Sequence, residues 1–427
     1  MRVGYQKRTI AGDKTICLPV PDGVDYDIWI KDPVGFRQYL DEQIRIHPEL
    51  FPPAISAGYQ LIGFVESKKQ QIRTRRLMVK DGSRQCYQIR PDTMMPYMVG
   101  TTEEVAKGLD LRRYGVPYEG IANVLGHSPM YWYSATQALG RISIVGSLAK
   151  ESSVCFPHLV ADEKHSWWLG KRIYIAVTAA KGCFLGVGLA KSASTEDLTT
   201  AYGEFAQEVY AIKADYCPET VNLDGWEATQ AAWQQLFPRV VIMNCFLHFV
   251  LVIQQRCRSN KNLYKTLTED LWNLYHSLNP SQFGQRLRRL MEWVEAEIEM
   301  PAVILEKVRK LRVQKENFKL TFQYPGAYRT SNQVDRLMNY QDRLLYAMQY
   351  FHGSEKAIRQ GIRAMAMLWN FHPYSQKVQR KAPYSQSPFE SLNGFRYHDH
   401  WLRNLLIASS LNGRLTSEPV LLKLEGN

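Results

Sequence analysis

The chain has 427 residues, 53 Lys+Arg against 41 Asp+Glu, a formal charge of +12 and a pI near 9.2, with 45% hydrophobic and 12% aromatic residues. That composition supplies material for real cores and excludes a disordered chain, and no apolar run reaches the roughly 18–20 residues that cross a bilayer, so no membrane partner is expected. The excess cations, interleaved with 24 tyrosines and ten tryptophans, point to a polyanion: Lys and Arg gain affinity by releasing phosphate counterions, and aromatic rings offer stacking surfaces.

Seven cysteines, at 17, 86, 155, 183, 217, 245 and 257, are an odd number without tight pairing, which suits free thiols in a reducing compartment. The N-terminal Met1-Arg-Val-Gly-Tyr-Gln-Lys-Arg8 has no apolar stretch after its charges, so no secretory leader is expected and the expected location is the cytoplasm. Residues 1–100 are rich in turn formers and short strand-like runs. Phe36, Tyr39, Leu40 and Ile44 at helical spacing predict a helix over 32–46, broken by Pro48, Pro52 and Pro53. Lys68, Lys69, Arg73, Arg75 and Arg76, followed by an apolar run to Asp81-Gly82, predict a basic strand pair turning there, and a candidate phosphate-gripping strip.

Residues 101–150 predict a helix-turn-helix. Thr101-Thr102-Glu103-Glu104 opens a helix that Gly115-Val116-Pro117 closes; Tyr118 to Gly126 is a short second helix; Ser128 caps a third, with Pro129 at its first position, running to Leu139. Ser128, Tyr131, Ser134, Thr136 and Gln137 are the candidates to face a DNA groove.

Residues 151–249 hold five short apolar runs, 158–161, 172–178, 183–189, 219–223 and 239–244, with helical patterns opening at Ser194 and Gly225. The order strand, strand, strand, helix, strand, helix, strand predicts an α/β unit built on a mixed sheet flanked by helices. Asp162 and Asp224 each follow an apolar run, and ligands gather at such strand ends in open α/β sheets. From 250 to 325 the pattern is helical only (251–276, 281–299 and 302–319), an all-helical insertion with Arg286, Arg288, Arg289, Lys307, Arg309, Lys310 and Arg312 as its basic face; Arg286 and Arg289 are candidate DNA contacts. Residues 326–372 return to the α/β unit with a helix capped by Ser331 and running to about 351, then another over 355–370; residues 373–427 form a tail.

Two aspartates on adjacent strands, joined by an acid from a helix, suit phosphodiester chemistry, in which paired Mg²⁺ ions activate the attacking oxygen and neutralise the leaving one. The chain resembles the RNase H-like catalytic domain of acidic-triad transposases, and is most similar to bacterial insertion-sequence transposases related to the Mutator group. Leu223-Asp224-Gly225-Trp226 precedes a helix ending at Phe237-Pro238. Cys245-Phe246-Leu247-His248 matches the group's Cys-x-x-His. Thr330-Ser331-Asn332-Gln333-Val334-Asp335 resembles the Thr-Thr-Asn-x-x-Glu run that bears the third acid. The resemblance covers about residues 100–370, and the first hundred residues match only loosely. It departs from the family in carrying Asp335 where Glu is usual. Glu390, in Ser387-Pro388-Phe389-Glu390, competes for the third place.

The resemblance implies a DNA transposase with Asp162, Asp224 and Asp335 (or Glu390) holding two Mg²⁺ or Mn²⁺ ions. Residues 1–100 would bind element ends in double-stranded DNA, and strand cleavage would be followed by 3′-hydroxyl transfer into target DNA. A homodimer or higher oligomer would assemble on DNA at the bacterial nucleoid. It also implies that His248 touches DNA or a metal-bound water. From the residues alone, Cys245 and His248 fit as well into half a zinc site completed by Cys217 or Cys257, or into a plain core. Glu163 is a possible minor helper facing away from Asp162, His165 a surface histidine, and Trp167-Trp168 a packing pair. Two other functions share the pattern: a structure-specific nuclease of the same fold, and a domesticated DNA-binding protein with an inactive site.

Overall fold

A computed structural model describes residues 14–21, 23–68, 70–150, 156–256, 261–297, 300–381 and 385–413. Among these, the apolar runs form strands in two sheets: β1 (Thr15–Leu18), β2 (Tyr59–Ser67), β3 (Ile72–Val79) and β4 (Cys86–Pro91) in one, β5 (His158–Trp168), β6 (Lys171–Ala180), β7 (Cys183–Ala190), β8 (Thr220–Leu223) and β9 (Val241–Asn244) in the other. The chain is thus mixed α/β with helices flanking its sheets.

The N-terminal sheet has the order β1-β4-β3-β2, with β1 parallel to β4 and the remaining pairs antiparallel. The expected basic strand pair is divided differently. Residues from Ile72 through Val79 form one strand, the turn at Asp81-Gly82 leads into β4, and Lys68 lies in the preceding turn. The Asp81 carboxylate fixes the later turn by accepting from Ser83 N at 2.9 Å, with Gly82 at φ +86°. The predicted helix is Pro33–Ile46, capped by the Asp32 side chain.

The central sheet has the order β7-β6-β5-β8-β9. Its first three strands form an antiparallel meander, and β5, β8 and β9 run parallel. Parity then sorts its side chains. Glu163 faces the helices Thr195–Ile212 and Glu227–Leu236, accepting hydrogen bonds from Tyr202 Oη at 2.8 Å and Thr229 Oγ1 at 2.7 Å. Asp162, its neighbour, faces the other way. Val160 is in register with Asn222, so Asn222 shares the Asp162 face, where its amide donates to Tyr328 O at 2.9 Å. At β7 the helix Thr195–Ile212 approaches so closely that a Cβ on Gly188 would stand 2.1 Å from Ala201 O, which requires glycine there. Asn370 covers the free β7 edge, accepting from Phe184 N at 2.9 Å and donating to Phe184 O at 2.8 Å.

The three short helices follow their caps: Thr102–Arg113 behind Thr101, Tyr118–Leu125, and Pro129–Leu139 behind Ser128. The helix expected to reach 351 is Asn332–Ala347. It stops because Gln349 and Tyr350 turn to φ +53° and +67°, and Phe351 then joins the β5–β6 hairpin, donating to Trp167 O and accepting from Leu169 N, each at 3.1 Å.

Residues from Ile16 to Leu411 share one hydrophobic core, which joins the N-terminal sheet, the central sheet and the Trp401–Ala408 helix; the boundaries drawn near 100, 150 and 372 do not separate cores. Arg403, on that last helix, is locked to Asp92 by a buried pair at 2.7 Å. The helical insertion has a second core, centred on Leu271, Phe283, Ile304 and Leu311. Its described helices are Phe246–Arg256, Lys261–Tyr275, Pro280–Ala296, Ala302–Val313 and Lys315–Lys319, so it begins earlier than expected and takes His248 with it. The last two residues of the helix expected over 281–299, like the basic N-terminus, lie outside the described residues.

Candidate active site

Asp162 is not at the end of its strand. β5 runs on to Trp168 because its other edge pairs with β6, Asp162 opposite Val177. What ends near Asp162 is the parallel ladder to β8, whose last pair is Val160 with Asn222. Asp162 and Asp224 each lie two residues beyond that last pair, near enough for the Asp224 charge to act on Asp162. Asp224 closes the turn after β8, its Oδ1 accepting from Trp226 N at 2.9 Å across Gly225 at φ +93°. Asp162 Oδ1 accepts from Glu163 N at 2.8 Å.

Asp335 arrives from the first turn of Asn332–Ala347. The segment before its helix is tied twice, to the sheet where Asn222 holds Tyr328 O, and to the helix after β9 where Phe246 N donates to Arg329 O at 3.1 Å. A third tie runs through sulfur. Cys245 N donates to Leu223 O at 2.7 Å, Ser331 N donates to Cys245 Sγ at 3.2 Å, and the Cys245 thiol donates to Ser331 Oγ at 3.3 Å. Ser331 Oγ in turn donates to Asp335 Oδ2 at 3.2 Å. Ser331 therefore stands at the expected cap position without capping the helix. His248, one turn into its own helix, is hydrogen-bonded to Cys245.

The charges of these groups act on one another. Burial, joined by the negative charges of Asp224 and Asp335, pushes the Asp162 carboxyl up to about 6, against the pull of the Glu163 amide and His248. Burial also raises Asp335, opposed by the Ser331 hydroxyl and His248. The hydrogen bond to Cys245, helped by Asp162 and Asp224 and opposed by burial, raises the His248 imidazole to about 9, so it is cationic at neutral pH. On the opposite face burial raises Glu163 to about 7, against its hydrogen bonds from Thr229 and Tyr202. That carboxyl fastens β5 to two helices and does not face the cluster.

Glu390, the competing third acid, is held elsewhere. It is buried in Pro388–Asn393, where Oε2 accepts from Gln386 N at 2.7 Å and Oε1 pairs with Arg396 at 3.3 Å. Among the described residues no three His, Cys, Asp or Glu side chains stand at metal-ligand spacing. Chemically, three carboxylates are the hard oxygen donors that Mg²⁺ or Mn²⁺ takes, and the crowded negative charge that raises Asp162 is what a divalent cation would relieve. Zinc fits less well. Cys245 is engaged with Ser331 and His248, the Cys217 thiol donates to Pro218 O at 3.6 Å, and Cys257 lies outside the described residues.

The candidate DNA contacts divide. Lys68, Arg73 and Arg289 are exposed, Arg76 is half-buried, and Lys69 lies outside the described residues. Arg75 is a correction. In register with buried Ile89, it turns into the core, donates to Ile30 O, and lies over the Phe36 and Phe64 rings at 5.3 and 4.8 Å. Arg286 donates to Asn273 O on the adjacent helix, and Arg288 reaches Glu292 at 3.9 Å.

On Pro129–Leu139 the groove-facing set is also corrected. The Ser128 hydroxyl accepts from Tyr131 N at 3.3 Å as the cap; Tyr131 stacks on His127 at 4.0 Å and donates to Glu104 at 2.9 Å; Ser134 is half-buried. Thr136 and Gln137 are buried, Thr136 donating to Trp132 O and Gln137 to Ala357 O, because the helix's second half packs on Glu355–Phe371. His165 is exposed and stands edge-on to Tyr174 at 5.0 Å; Trp168 packs, donating to Gly353 O at 2.9 Å, and Trp167 remains 41% exposed beneath Arg172.

Sequence reasoning missed what Asn222 and Tyr328 do, and read Ser331 only as a cap. The available signal was the coincidence of Cys245-x-x-His248 with a serine four residues before an acid. No protein-family model matches the chain, and no curated protein matches its sequence.

Proposed function

We propose that the chain is a DNA transposase with an RNase H-like catalytic core, cleaving phosphodiesters at element ends and joining the freed 3′-hydroxyl to target DNA. The observation that carries this reading is that Asp162 and Asp224 each lie two residues beyond the last β5–β8 pair, while the hydrogen bonds from Cys245 to Leu223 O and Ser331, and from Ser331 to Asp335, draw a third acid toward the same strand ends. The strand order β7-β6-β5-β8-β9, with one acid within β5, one in the turn just after the adjacent parallel β8 and a third on a later helix, is in keeping with that core. So is an insertion with its own hydrophobic centre falling between β9 and the helix that carries Asp335.

In this reading Asp162, Asp224 and Asp335 hold two divalent ions, which supply charge neutralisation and an activated oxygen. The Cys245–Ser331 pair sets the carboxylate of Asp335, and His248 offers a positive hydrogen-bond donor to a phosphate. The exposed Arg73, Lys68 and Arg289 contact backbone phosphate, and two copies hold the two ends. The three helices over 102–139 serve as a helix-turn-helix through their exposed N-terminal turns rather than through Gln137.

The test is Mg²⁺-dependent processing of pre-cut end DNA taken from the sequence that flanks the gene. Joined products are expected from the wild type and none from Asp224→Asn, with DNA binding retained. Hydrolysis without joining would leave a nuclease, and undiminished cleavage by Asp224→Asn would remove the acidic cluster from the chemistry.

A further inference from the structure

A cavity of about 460 Å³ opens where Pro129–Leu139, the end of Asn332–Ala347 and Glu355–Phe371 meet. Its walls are apolar and aromatic, with Tyr118, Tyr133, Leu344 and Met365 among them. Three polar side chains lining it are more than nine-tenths buried, and of these Thr136 is satisfied by Trp132 O. Arg112, 5% exposed, is held by Val116 O at 3.2 Å, by Met348 Sδ at 3.5 Å and over the Tyr118 ring at 4.5 Å, rather than by a carboxylate among the described residues. Gln137, 8% exposed, donates through its amide nitrogen to Ala357 O, while its Oε1 is buried without a hydrogen-bond partner. A buried carbonyl left without a donor costs free energy that a ligand N–H would return.

A second hollow of about 300 Å³ shares Tyr133, Gln137 and Ala357 with the first, and its rim carries Arg141 and exposed Lys356. The two adjoining hollows together present rim cations, a tyrosine ring, a buried acceptor and a buried guanidinium. The Watson–Crick edge of each nucleobase sets a hydrogen-bond donor beside an acceptor, its ring stacks on tyrosine, and its own backbone brings the phosphate that the rim cations would meet. Along Asn332–Ala347, Asp335 lies twelve residues before Ala347 at the cavity wall, about 18 Å at the helical rise. That is the span of about five nucleotides of one strand.

We propose that this cavity receives a single nucleobase turned out of a DNA strand whose backbone continues to the acidic cluster, with Gln137 Oε1 accepting from the base edge and Arg112 donating to it. The proposal rests on the DNA reading above. Unstacking costs a few kcal/mol, least in single-stranded or distorted DNA, so the site favours a strand already opened.

The test uses the full chain without divalent metal and single-stranded oligonucleotides carrying 2-aminopurine, beside sugar-phosphate strands of the same length lacking bases. Ala357→Trp fills the passage between the two hollows; Gln137→Leu removes the acceptor and keeps the volume. Circular dichroism melts establish that both variants fold. The expected result is a change in 2-aminopurine fluorescence with wild type that both variants lose, with binding of base-bearing strands weakened about 10- to 100-fold, the worth of one stacked base, and binding of base-free strands unchanged. Equal fluorescence and affinity in wild type and both variants would overturn the pocket and leave DNA binding standing. Absence of single-strand binding by wild type that still binds duplex DNA would overturn the pocket alone, absence of binding to both would overturn the DNA reading as well, and pocket-dependent binding of free deoxynucleoside monophosphate without strand binding would overturn the strand form proposed here. Should both variants fail to fold, a wild-type fluorescence change that is absent would overturn the proposal, and one that is quenched by competing free nucleotide would support it.

Discussion

Ser331 Oγ donates to Asp335 Oδ2 at 3.2 Å instead of capping the helix that begins at the next residue and carries Asp335. The hydroxyl can do this because Cys245 supplies its hydrogen-bond donor and fixes its backbone amide. Ser331→Ala removes the link in that chain that reaches the carboxylate and leaves the helix uncapped as before. DNA cleavage should fall about 10- to 100-fold, the usual cost of losing a partner behind a metal ligand, with a melting temperature close to wild type. Ser331→Thr, which keeps the hydroxyl, should recover most of the loss. Single-turnover cleavage rates across Mg²⁺ concentrations check this, and equal rates for wild type and Ser331→Ala would leave the hydroxyl without a role.

The acidic cluster makes stability depend on pH in a definite direction. Asp162 is raised to about 6 by burial, by Asp224 and by Asp335, so the folded chain holds that proton more tightly than the unfolded one. Its ionisation therefore removes stability as pH rises from the ordinary carboxylate range through about 6. His248, raised to about 9, contributes stability that is complete below the ordinary histidine range and is lost as pH rises through about 9. Both shifts make the metal-free protein less stable in the alkaline direction. Mg²⁺ or Mn²⁺ should raise the melting temperature clearly at neutral pH and little at about pH 5, where Asp162 is largely protonated. Asp162→Asn should raise metal-free stability at neutral pH and abolish the metal effect. Thermal melts with Mg²⁺ and with a chelator test both statements, and a metal shift of equal size at both pH values would contradict them.

The two candidate third acids differ in what surrounds them, and so in what their removal should do. Asp335→Asn should abolish cleavage with little loss of stability, since burial already opposes its charge. Glu390→Gln should leave cleavage rates within about twofold and cost about 1–3 kcal/mol of stability, because it weakens a buried carboxylate that holds Arg396 and the Gln386 amide. Urea unfolding and cleavage assays on the same preparations separate the outcomes. The reverse pattern would move the third acid to Glu390.

The order of strands and helices from 158 to 244 was legible because each strand is a short apolar run bounded by turn residues, and each helix has a capping serine or an apolar stripe. Asp162 and Asp224 were legible for the same reason, although Asp162 lies within β5 rather than at its end: the antiparallel β6 that prolongs β5 is a partner the local run does not reveal. The burial of Gln137 and Arg75 was not legible. Each faces inward because of a distant element, Glu355–Phe371 for Gln137 and the region of Ile30 and Phe36 for Arg75, and polar side chains in a basic chain read locally as surface. The relay through Cys245 and Ser331 joins residues 86 positions apart, and only the closing of the insertion brings them together.

Arg75 and Arg73 give the sharpest contrast among the expected DNA contacts. Arg75 is 6% exposed, bonded to Ile30 O and sandwiched by Phe36 and Phe64, so Arg75→Ala leaves a buried carbonyl unpaired and two rings without their cation. A loss of about 2–4 kcal/mol in unfolding free energy is expected, the sum of a lost buried hydrogen bond and the stacked contacts. Affinity of the folded fraction for DNA should be unchanged. Arg73→Ala, on the same strand but exposed, should alter stability by less than about 0.5 kcal/mol. Through one lost phosphate contact it should reduce the slope of log affinity against log salt by about one. Urea melts with salt-dependent binding isotherms read both effects. A salt slope changed by Arg75→Ala and untouched by Arg73→Ala would mean that β3 meets DNA through its other face.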